Sequence, residues 1–345
     1  MKAGLLKAPN EMTFEELPYP EAEKGDLILR VRAATVCGTD IRIFRGRKTA
    51  GVRYPSVLGH EFSGEVVDNG GHADFQKGDA VCVCPAIPCG HCAHCKRGLE
   101  NICQNLIAIG YEVDGAFAEY IRIPARAVEA RNVFHLPPGL AWEKAALAEP
   151  LSCVMNGQER IDVRAGDTVA ILGSGPIGLL HIKLARLSGA SKILVSEPNA
   201  LRREAALSAG ADVVVDPTNE NLQDAVKAFS GGLGADKVIV AIGVPKLAND
   251  ALALARHRGS ISLFAGFSVG ETASLDVNAI HYNELVVTGA FGLTRLQFER
   301  SLNAIASGQL EVESLLTHQF ELSDIANALA TAEQGAAIKV AIVNA

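Results

Sequence analysis

The chain has 345 residues, of which 48% are hydrophobic and 5% aromatic, and its formal net charge is -7. That length is sufficient for two domains with separate cores, and an acidic chain without a basic stripe argues against nucleic-acid binding. The sequence contains no uncharged apolar run as long as a bilayer-spanning helix and no apolar secretory segment at its start. We therefore expect a cytoplasmic protein without a nucleic-acid or membrane partner.

The first third of the chain predicts short β-strands separated by turns. Apolar runs at residues 27–31, 62–67 and 80–84 stand next to glycine-containing turn signals, and a further run follows at 115–123. Many short strands punctuated by glycine and proline are typical of a compact, barrel-like β domain.

Residues 85–103 read PAIPCGHCAHCKRGLENIC and contain four cysteines spaced C-x2-C-x2-C-x7-C. These cysteines are Cys89, Cys92, Cys95 and Cys103. Short spacings of this kind let thiolates converge on one tetrahedral metal, and soft sulfur ligands favour Zn2+. Half of the eight cysteines lie in this one loop, which favours a metal site over a disulfide framework. Because four thiolates leave no open position, we predict a structural zinc, with His91 and His94 facing solvent.

The pattern changes near Glu149, where strands begin to alternate with helices. Strand-like runs recur at residues 167–172, 192–196, 212–215, 237–242, 260–265 and 285–290, and helical stretches separate the first five. This alternation predicts a doubly wound parallel sheet. The tail contains helical stretches at 297–307 and 323–334 and a strand at 339–343, and we expect it to return to the first domain.

A glycine motif, Gly173-x-Gly175-x-x-Gly178, directly follows the strand at 167–172 and precedes a helix at 179–187. Gly173 allows a tight turn, Gly175 lets the backbone approach a pyrophosphate, and Gly178 permits close packing of helix on sheet. Pro176 and Ile177 lie between the second and third glycines. Proline is tolerated there because the N–H groups of the first helical turn have no partner within the helix. The free N–H groups of the helix N-terminus complete a predicted dinucleotide site.

Glu197 ends the second strand-like run, about twenty residues after the glycine motif. A carboxylate at that place accepts hydrogen bonds from both ribose hydroxyls and repels a 2′-phosphate, which favours NAD over NADP. Arg202 and Arg203 keep NADP open as an alternative, because a nearby arginine can hold the phosphate.

Cys37, His60 and Glu61 form a second group of metal-binding residue types. Glu149 lies just before the point where the sequence changes from short strands to alternating strands and helices. A cysteine and a histidine, each beside a glycine near a predicted strand end, suit a catalytic zinc with open positions. Taken singly, each residue has an ordinary structural explanation. A lone cysteine is usually a buried apolar side chain, a lone histidine is usually hydrogen-bonded within the fold, and a glutamate before proline usually lies in a surface turn. Only their combination with a dinucleotide fold raises them above these alternatives as candidate ligands of a catalytic zinc.

On these motifs the chain resembles the zinc-dependent medium-chain alcohol and polyol dehydrogenases over essentially its whole length, particularly the sorbitol dehydrogenase-like branch. The matching motifs are the sequences at 37–40 and 59–61, the cysteine loop, Glu149-Pro150, and the glycine turn with Glu197. The resemblance implies an α/β protein with a GroES-like β-rich catalytic domain, residues 1–150 and 293–345, that contains a structural zinc lobe at 85–105. It further implies a Rossmann NAD-binding domain with a doubly wound six-stranded parallel sheet at residues 151–292.

The resemblance also implies roles for individual residues. Cys37, His60 and either Glu61 or Glu149 would hold the catalytic zinc, which makes two zinc ions per chain. Asp40 would orient His60, and Thr39 would carry the alcohol proton toward the ribose hydroxyls and solvent. The implied reaction transfers a hydride from a secondary alcohol of a small polyol or sugar alcohol to NAD, and the implied assembly is a homodimer or homotetramer.

Some positions depart from the family pattern. Arg42 stands where many relatives carry the histidine that ends the proton relay, and Ile43 and residues 292–293 replace residues typical of the sorbitol branch. Tyr111, Glu112 and Arg295 are possible substitutes for substrate contacts. L-threonine 3-dehydrogenase-like and 2,3-butanediol dehydrogenase-like activities therefore stay open, as does a regulatory protein that binds zinc and NAD without turnover.

Overall fold

A computed structural model describes residues 1–344, and in it the chain forms two compact units. Unit 1 consists of Met1–Ser152 and the chain from Gly292 onward, and unit 2 is Cys153–Phe291. The helix Ala148–Ile161 crosses the boundary between them. The domain limits predicted from the sequence lie at residues 150 and 292.

Unit 1 is built on short strands, as the sequence predicts for its first third, and all their pairings are antiparallel except that of Leu316–Glu321 with Lys339–Val343. A three-stranded sheet has the order Glu11–Glu16, Lys2–Ala8, Ser56–Val57. A seven-stranded sheet has the order Val133–His135, Ala80–Val83, Glu61–Asp68, Leu27–Thr35, Lys339–Val343, Leu316–Glu321, with Tyr120–Ile123 beside the first half of Leu27–Thr35. The C-terminal strand thus completes the sheet that contains residues 35 and 61.

The predicted strand at 115–123 is wrong in its first half, because only Tyr120–Ile123 is a strand. The preceding residues instead make single hydrogen bonds to residues 57–59 before His60 and to Lys2 and Gly4 of the first strand. The N–H of Gly115 donates to the Val57 carbonyl at 2.7 Å, and the N–H of Phe117 donates to the Leu58 carbonyl at 2.9 Å. A side chain at position 115 would come within 2.3 Å of the Gly59 carbonyl oxygen, so only glycine allows this close approach.

The helices of unit 1 are short and pack around the sheets. They are Gly38–Phe44, Ala125–Glu129, Trp142–Ala146, Arg295–Ala306 and Ile325–Gln334. Two-residue strands at Ala86–Ile87 and Ile107–Ala108 flank the cysteine loop. Fully buried side chains that include Phe62, Phe117 and Leu29 form the core beneath the loop that carries His60.

Unit 2 contains one six-stranded parallel sheet, which confirms the predicted doubly wound fold. Its order is Val213–Val215, Lys192–Ser196, Thr168–Leu172, Ala235–Val240, Ala255–Leu263, Val286–Gly289. The strand order reverses next to Thr168–Leu172, which is where such sheets bind nucleotides. Its connecting helices are Pro176–Leu187, Ala200–Ser208, Leu222–Phe229, Pro245–Asp250 and Val277–Tyr282, and the last was not predicted.

None of the helices between residues 1 and 344 has both the length and the apolar character that crossing a membrane requires.

Candidate functional site

Cys37, His60 and Glu61 come together in unit 1. Cys37 is the N-cap of the helix Gly38–Phe44, while His60 and Glu61 stand at the start of the strand Glu61–Asp68. One ligand atom from each residue lies within 4.8 Å of the others. His60 is 3% exposed and Glu61 is fully buried. A thiolate, an imidazole and a carboxylate at this spacing fit a zinc ion and provide fewer than four protein donors, as open zinc sites do.

Asp40 connects two members of this group. The backbone N–H of Cys37 donates to Asp40 Oδ2 at 2.8 Å, and Asp40 Oδ1 lies 3.3 Å from His60 Nδ1. Asp40 is completely buried. A carboxylate facing one ring nitrogen fixes the orientation of the imidazole and leaves the other nitrogen for a metal. This is the arrangement that the predicted role of Asp40 requires.

Glu61 has two further partners that the sequence analysis missed. Its Oε1 accepts a hydrogen bond from Lys339 Nζ at 2.8 Å, and its Oε2 accepts one from the Thr35 hydroxyl. Lys339 is only 4% exposed. Burial disfavours the charged amine and is the largest single influence, but Glu61, Cys37 and Glu149 together outweigh it, so the pKa of Lys339 is raised. A lysine in the otherwise apolar run 337–343 is the sequence signal that could have identified it.

Glu149 lies in the first turn of the helix Ala148–Ile161 and is 8% exposed. Its pKa is raised to about 7, mainly by burial and in part by the charge of Glu61, against the opposing effects of His60 and Lys339. These interactions place Glu149 within electrostatic reach of the metal-binding group. It is not one of the three residues whose ligand atoms lie within 4.8 Å of one another.

Tyr111 lies against the same group. Its ring centroid is 5.2 Å from that of His60, and Lys48 Nζ lies 4.9 Å from the Tyr111 centroid. Burial raises the pKa of Tyr111 above its ordinary value. Thr39, the predicted proton carrier, is half-buried in the first turn after Cys37. Tyr111 is therefore better placed for a substrate contact than the sequence alone suggests.

The other two proposed substitutes have local partners. Glu112 is exposed and accepts a hydrogen bond from the N–H of Ala108 at 2.9 Å. Arg295 lies 3.9 Å from Glu299 on the same helix.

The four cysteines of residues 85–103 form a second metal-binding group in unit 1. One sulfur from each of Cys89, Cys92, Cys95 and Cys103 lies within 4.8 Å of the others. The sulfur–sulfur distances are 3.5 Å for Cys92 to Cys95, 3.9 Å for Cys92 to Cys103 and 4.0 Å for Cys89 to Cys95. Four thiolates bound to one zinc at about 2.3 Å lie about 3.8 Å apart. The lobe geometry therefore fits a four-thiolate metal site.

Backbone N–H groups point at these sulfurs and favour the ionised form. The N–H of Cys89 donates to Cys103 Sγ at 3.2 Å, and the N–H of Cys92 donates to Cys89 Sγ at 3.4 Å. Backbone hydrogen bonds lower the pKa of Cys92 to about 5. All eight cysteines are free thiols, so no disulfide competes for them. His91 is exposed, as expected, and its ring contacts the Cys89 carbonyl.

The glycine motif of unit 2 forms a tight turn between the strand Thr168–Leu172 and the helix Pro176–Leu187. Gly173 has a φ of +95°, a conformation that side chains disfavour. A Cβ at Gly178 would lie 2.0 Å from the Gly173 carbonyl oxygen, whereas a Cβ at Gly175 would meet nothing within 4 Å. The space over Gly175 and the helix N-terminus behind it fit a pyrophosphate. Pro176 is the first helical residue, and Ile177 beside it is half-buried.

Glu197 supports this turn as well as standing at the expected strand end. Its Oε2 accepts from the N–H of Ser174 at 2.9 Å, and its Oε1 accepts from the N–H of Asn199 at 3.0 Å. It is 4% exposed. The sequence analysis predicted a carboxylate directed at ribose and did not predict these backbone contacts.

The two arginines after Glu197 have different environments. The Arg203 guanidinium donates to the carbonyls of Glu197 and Pro198 and lies 3.3 Å from Asp216. Arg202 is half-buried, and its carbonyl accepts a hydrogen bond from Ser174 Oγ at 3.1 Å. Arg203 therefore stabilises the loop, and Arg202 is the arginine of the pair that remains for a phosphate.

Comparison with known proteins decides the family. The sorbitol dehydrogenase of Bacillus subtilis (strain 168) is 31% identical to this chain over 338 residues, which cover 97% of this chain and 94% of that protein. The chain belongs to the zinc-dependent medium-chain dehydrogenase family. This family member also matches the alcohol dehydrogenase GroES-like domain over residues 23–134 and the zinc-binding dehydrogenase domain over residues 176–307.

Two further relatives of this family member have names that indicate different activities or cofactors. The L-threonine 3-dehydrogenase of Pseudoalteromonas translucida is 32% identical over 330 residues, which cover 94% of each chain. A zinc-binding dehydrogenase from Sinorhizobium meliloti, solved with bound NADP, is 32% identical with a TM-score of 0.91 and 99% coverage of both chains. These relatives support an oxidoreductase and leave its substrate unspecified.

Proposed function

We propose that this protein is an NAD-dependent zinc dehydrogenase that oxidises a secondary alcohol of a small polyol or sugar alcohol to the ketone. The observation that carries the proposal is the meeting of Cys37, His60 and Glu61 donor atoms within 4.8 Å. Asp40 faces His60 from the side away from solvent, which pre-orients that donor. The 31% identity to a sorbitol dehydrogenase agrees with a polyol substrate.

In this proposal Cys37 and His60 hold the catalytic zinc, and Glu149 or Glu61 adds a carboxylate. A bound zinc ion supplies Lewis acidity, which makes an alcohol oxygen easier to deprotonate. Thr39, half-buried two residues after Cys37, accepts that proton and passes it toward solvent. The Tyr111 ring on His60 excludes water from one side of the site. A second zinc in the cysteine lobe is structural, which gives two per chain.

We assign NAD as the preferred cofactor on the charge of Glu197. Its carboxylate, fixed by the N–H groups of Ser174 and Asn199, places a negative charge at the end of the second strand of the sheet. A 2′-phosphate brought there meets electrostatic repulsion. The Sinorhizobium meliloti relative with bound NADP makes the phosphorylated cofactor the alternative to be measured, with Arg202 as its partner.

An L-threonine 3-dehydrogenase-like activity is the second candidate. Lys48 Nζ lies over the Tyr111 ring, which in turn lies on His60, so a cation stands near the candidate metal site. A carboxylate on the substrate would be attracted to it. The 32% identity to a threonine dehydrogenase agrees with this candidate. Two further alternatives are oxidation of 2,3-butanediol and a protein that binds zinc and NAD without turnover. The metal analysis and substrate panel described below distinguish both from a polyol dehydrogenase.

We further propose a homodimer or homotetramer. The strand Val286–Gly289 is at one end of the six-stranded sheet order, and Val286 is 53% exposed. An uncovered apolar edge strand favours pairing with another copy. Light scattering of the purified chain measures the mass directly, and a monomer at micromolar concentration contradicts this proposal.

The test combines metal analysis with cofactor reduction. Wild type should hold two zinc ions and reduce NAD with a polyol from a panel that also contains L-threonine and 2,3-butanediol. Cys37→Ser should lose one zinc and all turnover, and Cys95→Ser should lose the other. Activity restricted to threonine or butanediol replaces the substrate class. If wild type and Cys37→Ser hold equal zinc and neither reduces NAD, the proposal is wrong.

A further inference from the structure

The Thr35–Glu61–Lys339 cluster joins three neighbouring strands of the seven-stranded sheet. Thr35 is paired with Glu61 on one side and with Ala341 on the other. Lys339 is two residues from Ala341, so its side chain emerges on the same face as that residue. Lys339 therefore reaches Glu61 across the strand that carries Thr35. All three side chains are buried.

We propose that Lys339 is a positioning residue of the candidate zinc centre, which holds the Glu61 carboxylate out of direct coordination. The inference rests on the proposed function, because it assumes a zinc at Cys37 and His60. It assigns a role to a residue that lies 278 positions from Glu61 in sequence.

Both oxygens of Glu61 already have strong donors. Lys339 Nζ lies 2.8 Å from Oε1 and 2.5 Å from Oε2, and the Thr35 hydroxyl donates to Oε2 as well. Charge-assisted hydrogen bonds of this kind withdraw electron density from the carboxylate and restrict its rotation. To enter the coordination sphere, Glu61 would have to give up or share these bonds. Its closeness to Cys37 and His60 therefore does not by itself make it a ligand.

The charge of the site gives a second argument. Asp40, Glu61 and Glu149 are buried acids near Cys37. Among the lysines and arginines of residues 1–344, Lys339 is the one that is buried. Its positive charge neutralises one carboxylate of the group. A buried ion pair often adds little net stability compared with apolar side chains of similar size. The pair is better explained by control of charge at the metal than by stability alone.

Cobalt substitution reads the coordination directly. Co2+ replaces zinc in the intact chain, and subtracting the absorption spectrum of Cys37→Ser from that of wild type isolates the ion at the Cys37 site from the ion in the cysteine lobe. The variants to compare are Glu61→Gln, Lys339→Met, Lys339→Arg and the double variant Lys339→Met/Glu61→Gln.

The proposal expects Glu61→Gln and Lys339→Arg to keep the wild-type difference spectrum. Lys339→Met should change that spectrum, because the released Glu61 binds the metal, and kcat should fall 10- to 100-fold with a smaller change in KM. The double variant should restore the spectrum and most of kcat. Should Lys339→Met not fold, Lys339→Gln removes the charge while keeping a donor.

Two results overturn the inference. If Glu61→Gln loses the wild-type difference spectrum, Glu61 is a metal ligand. If Lys339→Met or Lys339→Gln keeps that spectrum, the Lys339–Glu61 pair is purely structural. Both leave the proposed function intact. Identical spectra of wild type and Cys37→Ser instead remove the metal site itself, and the proposed function fails together with the inference.

Discussion

The cysteine lobe and the Cys37–His60–Glu61 group collect metal-binding side chains in opposite ways. The lobe takes four identical soft donors from residues 89–103, and backbone N–H groups of the same loop point at the sulfurs. The other group takes three different donors from two elements, and its Glu61 contacts Lys339, which is 278 positions away in the chain. A closed site can be local, whereas an open buried site needs distant residues to balance its charge.

The comparison predicts that damage to the lobe has the largest effect on stability. Cys95→Ser removes one of four thiolates, and structural zinc contributes much of the folding energy of such loops. We expect loss of the lobe metal and a decrease of about 5 kcal/mol or more in the apparent free energy of unfolding. Metal analysis and urea unfolding measure both. Lys96→Ala, an exposed change in the same loop, is the control, and equal behaviour of the two variants contradicts a structural site.

The buried pair of the second group should give the next largest effect. In a Cys37→Ser background, where the released Glu61 has no catalytic zinc to bind, Lys339→Met leaves the buried Glu61 charge without its cation, and we expect a loss of about 3–5 kcal/mol in unfolding free energy. Adding Glu61→Gln removes the orphaned charge and should recover most of that loss. Urea unfolding at neutral pH tests both variants. A loss below about 1 kcal/mol in the single variant would mean that solvent reaches the pair.

His181 in unit 2 shows the other solution to burying a titratable group, which is to keep it neutral. Burial lowers the pKa of its fully buried ring to about 3, below the ordinary 6.5. Because the unfolded chain binds this proton more readily, the contribution is complete above about pH 6.5 and is lost as pH falls toward 3.

We expect His181 to reduce the unfolding free energy by about 2 kcal/mol between pH 7.5 and pH 5. His181→Leu should remove that part of the pH dependence, whatever its effect at neutral pH. The exposed His257→Ala is the matched control. Urea titrations at the two pH values decide the matter, and parallel pH dependence of wild type and His181→Leu contradicts a neutral buried ring.

The smallest effect concerns the nucleotide turn, which like the lobe is built from a contiguous motif. Glu197→Gln keeps the shape of the side chain and removes its charge, so repulsion of a 2′-phosphate should weaken. We expect the NAD-to-NADP ratio of binding constants to fall about tenfold, or about 1.4 kcal/mol. Fluorescence titration measures both constants, with exposed Glu204→Gln as control. An unchanged ratio would restrict Glu197 to its backbone contacts with Ser174 and Asn199.

Several elements were predictable because short sequence spans define them. The strand 192–196 matches the structure residue for residue, as does the C-terminal strand 339–343. The helix after the glycine motif begins at Pro176, which the sequence analysis placed in the first helical turn, and ends at Leu187 as predicted. The run at 115–123 is only partly a strand because its first residues divide their hydrogen bonds among Val57, Leu58 and the strand Lys2–Ala8, so that they form an isolated bridge and no continuous ladder.

The sequence by itself determined the doubly wound sheet and the two sets of metal-binding residue types, because spacing and periodicity encode them locally. The family followed from the resemblance of these motifs to known dehydrogenases. Only the tertiary structure brought Lys339 and Thr35 to Glu61, turned the Tyr111 ring onto His60 and placed the Glu197 carboxylate on the Ser174 backbone. These contacts join residues far apart in the chain. They follow from sheet pairing and burial, which oblige each buried charge to find a partner, and no local pattern specifies which partner that is.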